Sequence, residues 1–196
     1  ELYFSNIPFM DSISFSFLLF ASYCLALLLL LPVQSSSCAD TTSRLPDLKF
    51  DLPLRTSWPV FALTLLFFAF IDMVIDPVAL RGDRWFLGKI YYYPDPGVHF
   101  GVPMANYVGW AVVGAISLLI YFPLDRRLQH PLPDHRPSTT HRLLLGGGLY
   151  YGVLAFNLAM TFWIGETLQG TTGLLMYVPV TAILLLRLLA PATQSA

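Results

Sequence analysis

Charge is scarce in this chain of 196 residues: Asp, Glu, Lys and Arg make up 12% of it, about half the share of an average soluble domain. Lysine is scarcer still, with Lys49 and Lys89 set against nine arginines. A net charge of −1 leaves no basic field for nucleic acid. Two cysteines, Cys24 and Cys38, cannot build a disulfide framework or a zinc cluster. Internal repeats and low-complexity linkers are missing too. What the chain has in abundance is apolar side chains, at 56% hydrophobic and 15% aromatic, with a mean hydropathy of +0.63. That excludes a water-soluble globule and leaves a helical membrane protein.

Glu1-Leu2-Tyr3-Phe4-Ser5-Asn6 reads as the scar of a protease tag, with Met10 as a candidate native start. Residues 1–9 are therefore set aside, and residues 10–196 are read as a single transmembrane domain. Ile13 to Val33 is apolar over the roughly 20 residues a span requires. A signal peptide is the competing reading, since small residues follow at Ser35-Ser36-Ser37. The preceding segment carries Asp11 and no positive charge, which favours a retained span. Four more spans are expected at Trp58 to Leu80, Tyr107 to Phe122, Leu143 to Ile164 and Thr172 to Leu189. Backbone groups in hydrocarbon must bond within their own segment, so the expected fold is an all-α integral membrane bundle of about five helices. Eight of the eleven Lys and Arg residues lie on the side of the C-terminus, so the positive-inside rule puts that end in the cytoplasm.

Ionisable side chains at membrane depth are costly and point to function. Asp72 and Asp76 lie four residues apart in the second span, on one helix face and about 6 Å apart along the axis. Either they sit at the interface and pair with Arg81 or Arg84, or they face a polar pocket. Pro77 interrupts the helical ladder beside them, which suits the pocket. The connection from Gly82 to Asn106 is unusually aromatic, with Trp85, Phe86, Tyr91, Tyr92, Tyr93, His99 and Phe100 punctuated by Pro and Gly. An interfacial aromatic belt explains part of this. A loop folded over a pocket, or dipping back into the membrane, also explains why His99, Gly101, Pro103 and Asn106 lead into the third span.

Asp72-Met-Val-Ile-Asp76-Pro77-Val-Ala, then Trp85, then Gly101-Val102-Pro103-Met-Ala-Asn106-Tyr107-Val-Gly109-Trp110, resembles the membrane-bound carotenoid biosynthesis family. That family includes the CruF-type carotenoid 1,2-hydratases, such as the bisanhydrobacterioruberin hydratases. The similarity covers most of Trp58 to Leu189. It implies a lyase that hydrates the terminal double bond of an acyclic carotenoid end group.

Such a reaction needs a proton on the less substituted carbon and a tertiary carbocation that survives until water arrives. Two carboxyls in one pocket can divide the work, one giving a proton and the other taking one from water. Asp72 and Asp76 are the candidates, with the division between them open. His99 and Asn106 are expected to orient water. Trp85, Tyr91, Tyr92, Tyr93, Phe100 and Trp110 could line the substrate site and face the cation with their rings. No redox metal, nucleotide or other cofactor is required. The expected partners are a carotenoid or other polyisoprenoid, membrane lipid and a second copy of the chain in a homo-oligomer. The alternative from another class is a non-catalytic membrane carrier for carotenoid or isoprenoid lipid, using the same cavity.

Glu166, at the end of the fourth span, is either a third acid near the substrate or an interfacial cap. Asn157 would make an interhelical hydrogen bond. Gly146-Gly147-Gly148 and Gly152 suit close helix packing, since no strand or Lys-Ser pair accompanies them to make a phosphate loop. His130, His135 and His141 lie in a Pro-broken hydrophilic connection and read as solvated. Cys24 reads as a small core residue.

Overall fold

The computed structural model describes residues 3–4, 7–32, 48, 52–86, 88–89, 91–128 and 139–189. A two-residue ladder of β1 (Tyr3–Phe4) and β2 (Ile7–Pro8) leads into α1 (Phe9–Leu30). A single turn, α2 (Leu52–Arg55), precedes α3 (Trp58–Ala79). Then come α4 (Met104–Arg127), α5 (Thr139–Trp163) and α6 (Thr167–Leu189). Among the described residues five helices are thus long and apolar enough to cross a membrane, and the protein is an all-α integral membrane bundle.

The expected spans are all present, with shifted ends. α1 stops three residues short of Val33, because Pro32 cannot continue the ladder and disfavours helix at Leu31 before it. α4, α5 and α6 start three to five residues earlier than their hydropathy suggests. Hydropathy marks the hydrocarbon layer, whereas backbone bonding continues into the interface. The early start of α4 matters most, because it places Asn106 inside the first turn of the helix.

α3 is the hub and touches each of the other four long helices. α1 packs on both α3 and α5 and is buried continuously from Ala21 to Leu28. Ser22 and Thr64 bond back to their own helices, at the Leu18 and Val60 carbonyls, both at 2.7 Å. Cys24 is buried in the core. The outward surfaces are apolar: Leu145, Leu168 and Leu186 are all largely exposed, as lipid-facing residues are.

Helices in lipid gain little from apolar burial against each other and rely on close packing at small residues. α1 and α5 meet in this way. A Cβ on Gly146 would collide with the Cys24 side chain, and one on Gly147 would come within 2.7 Å of Leu28 Cδ1. Gly148 and Gly152 have nothing within 4 Å of such a Cβ. Gly146→Ala is therefore expected to destabilise the bundle by about 1–3 kcal/mol, while Gly148→Ala leaves the unfolding temperature in detergent unchanged. Equal unfolding temperatures for the two variants would refute this packing.

The two ends of the bundle carry separate polar clusters. At one end Arg55 pairs with Asp125 at 2.7 Å, Arg126 bonds to the Thr56 hydroxyl and carbonyl, and Arg187 bonds to the Leu31 carbonyl. At the other end lie the end of α3, the aromatic loop and the start of α4.

Candidate active site

Pro77 sets the local geometry. It has no N–H for the Met73 carbonyl four residues back, so that acceptor is free at membrane depth. His99, from the loop between α3 and α4, fills the gap with Nε2 at 3.0 Å from the Met73 oxygen. A carbonyl can only accept, so Nε2 carries the proton. The loop is shaped for this contact. Gly97 and Gly101 bridge each other with backbone bonds of 3.0 and 3.2 Å, and His99 pairs with Val102. The turn needs a positive φ at Phe100 (51°) and Gly101 (96°). A side chain at Gly97 would collide with the Val102 carbonyl and with Pro103. Phe100 lies edge-on to His99 at 5.0 Å.

His99→Ala should therefore lower stability by about 1–3 kcal/mol, the cost of an orphaned buried acceptor. Adding Pro77→Ala to that variant supplies the missing N–H and should restore most of the loss. A double variant as unstable as the single one would show that His99 has another structural role.

Under this loop, Asp72 and Asp76 share one face of α3. Asp72 is fully buried and Asp76 is 7% exposed. Asn106, in the first turn of α4, spans both: its Nδ2 donates to Asp72 Oδ2 and to Asp76 Oδ2, each at 2.7 Å. Asp76 also accepts from the Tyr91 hydroxyl at 2.7 Å through Oδ1 and from the Tyr93 hydroxyl at 3.1 Å through Oδ2. Burial and the adjacent Asp76 carboxylate both push the Tyr91 and Tyr93 phenols above their ordinary value. They act as donors, not bases, at neutral pH. Asp72 Oδ1 is buried with no hydrogen-bond partner among the described residues.

Tyr91 and Tyr93 reach the same carboxylate because the segment is extended there, and alternate residues of an extended chain share a side. Tyr92 consequently points away; it is 68% exposed, with the Lys89 ammonium 5.2 Å from its ring. Trp85 is buried against Val78 and Ala79 at the end of α3, beside Tyr91. Trp110 lies one turn deeper than Asn106, stacked on Phe15 at 4.2 Å and tilted against Phe68 at 4.7 Å. Glu166 does not join the carboxyl pair. It forms ion pairs with Arg81 at 3.1 Å and Arg84 at 3.3 Å. That engagement also removes both arginines as partners for Asp72 and Asp76. Asn157 bonds back to the Val153 carbonyl of its own helix at 2.9 Å and not across to a neighbour. His130, His135 and Cys38 lie outside the described residues, and His141 is exposed.

Tyr107 was not singled out by its sequence pattern. It is buried, stands edge-on to His99 at 5.6 Å, and its hydroxyl has no partner among the described residues. Its place directly after Asn106 was the available signal.

The site is thus a buried carboxyl pair, bridged by one amide and ringed by three tyrosines and a histidine, able to hold and transfer a proton beside aromatic faces. The chain spans about half the length of a curated relative it matches, the bisanhydrobacterioruberin hydratase of Haloarcula japonica. The two are 29% identical over 173 residues, which is 86% of this chain and 47% of that protein. No solved structure matches the chain. A family model described as carotenoid biosynthesis protein matches residues 3–183, which include every residue of the site. The chain belongs to the carotenoid biosynthesis protein family.

Proposed function

We propose that this chain hydrates the terminal trisubstituted double bond of an acyclic carotenoid, with Asp72 giving the proton and Asp76 receiving one from water. The observation that carries the reading is the buried carboxyl pair bridged by Asn106. The division of roles follows from unequal hydrogen bonding. Three donors solvate negative charge on Asp76, whereas Asp72 lies a turn deeper and has Asn106 as its partner.

In the forward step the Asp72 carboxyl protonates the CH carbon of the alkene, leaving a tertiary cation at the dimethyl carbon. The rings of Tyr91, Tyr93 and Tyr107, gathered around the pair, stabilise that cation. Water forms the new C–O bond and loses a proton to Asp76. That proton returns to Asp72 across the pair, which restores the starting state and leaves one water added. A polyene dissolves only in the bilayer, and its end meets water where α3 ends under the loop. By the distribution of positive residues, this face is the one opposite the cytoplasmic C-terminus.

Expression in cells that accumulate lycopene tests the reading by pigment mass. A gain of one water with an unchanged chromophore supports hydration. Lycopene that co-purifies with the protein unchanged would support the carrier instead.

A further inference from the structure

We propose that the groove between α1 and α4 holds the polyene chain of the substrate while its end group lies at Asp72 and Asn106. The inference rests on the hydration reading and adds the path the hydrocarbon takes. α1 and α4 each pack on α3, and between them runs a groove of about 780 Å³ with Phe68 of α3 at its base. Phe15, Leu19 and Tyr23 line it from α1, and Val113, Ser117 and Tyr121 from α4.

Register ties the groove to the carboxyl pair. Asn106, Trp110, Val113, Ser117 and Tyr121 recur at three- and four-residue intervals and form one stripe along α4. Phe68 lies one turn from Asp72 on α3. A chain with its end at Asn106 and its body along this stripe runs about 22 Å before it passes Tyr121. Trp110, stacked on Phe15 and tilted on Phe68, stands where the groove meets the polar site. It is the partition that a chain must pass or displace.

The chemistry of the walls selects the occupant. Ser117 spends its hydroxyl on the Val113 carbonyl at 2.8 Å, and Tyr23 spends its own on the Arg55 carbonyl at 3.1 Å. Neither asks a ligand for a polar partner. Half of the lining residues are aromatic, and flat rings match a conjugated chain better than a saturated acyl chain.

The test reads binding apart from turnover by working in the Asp72→Asn background. Protein is purified from lycopene-accumulating cells, and retained lycopene is measured by absorbance per protein. Ser117→Trp and, separately, Val113→Phe fill the groove and should each lower retention about tenfold. Leu119→Trp, on the outward face of α4 at 57% exposure, should retain as much as the parent. Retention unchanged in both groove variants overturns the proposal, as does displacement of lycopene by an excess of saturated phosphatidylcholine. If Ser117→Trp does not fold, Val113→Phe decides. Retention lost in the groove variants, with no water added by the parent sequence, would sustain the groove and refute hydration. The converse pattern would refute the groove alone.

Discussion

Asp72→Asn is expected to lower lycopene hydration by about 10²- to 10⁴-fold, the range for loss of a general acid, with pigment binding and the unfolding temperature retained. The replacement keeps the shape of the side chain and an oxygen that can accept from Asn106, so the bridge survives. What it removes is the acidic proton, and the one other described acid on that face of α3, Asp76, is held as the proton acceptor by three donors. Asp76→Asn should cost a comparable factor for the opposite reason, since an amide cannot take the proton that water releases. If both variants hydrated normally and became more stable, the carboxyls would be structural and merely repelling each other.

Asn106→Ala should be damaging twice over. One of its two bonds reaches the Asp76 carboxylate, and a bond to a charged group contributes about 1.5–3 kcal/mol, so the unfolding temperature should fall. Without the bridging amide the carboxyls also lose their fixed spacing, and hydration should fall by at least about 10². The two losses can be separated. Adding Asp76→Asn to Asn106→Ala removes one potential charge and should recover part of the stability while activity stays absent. Recovery of neither would assign Asn106 to the packing of α4 on α3 alone. Its side chain reaches across to α3 and not back to its own helix end, which already argues against a simple capping role.

These expectations show which parts of the molecule could be read from residue order. Apolar runs located the five helices because the bilayer allows no other structure for them. Asp72 and Asp76 were legible from their helical spacing, and the bracketing of Asn106 by Gly101, Pro103 and Trp110 pointed to it as well. The placement of His99 was harder to read. Its contact with the Met73 carbonyl needs both the Pro77 gap and the return of the loop, and only the gap is visible in the sequence. The same loop explains why three consecutive tyrosines are not equivalent, since extended backbone turns Tyr92 away from the two that reach Asp76. Trp110 shares the sequence neighbourhood of Asn106, yet sits a full turn deeper, where it meets α1. Glu166 depended on a partner from a distant segment, and no local pattern announces that Arg81 and Arg84 reach it across the bundle end.

The central claim is that water is added at the Asp72–Asp76 pair. The most direct measurement incubates purified protein in lycopene-loaded vesicles made up in heavy-oxygen water and follows the pigment by mass. One labelled oxygen per modified end, absent in Asp72→Asn, is the predicted result. Lycopene recovered unchanged, or a product whose oxygen is unlabelled, would contradict it.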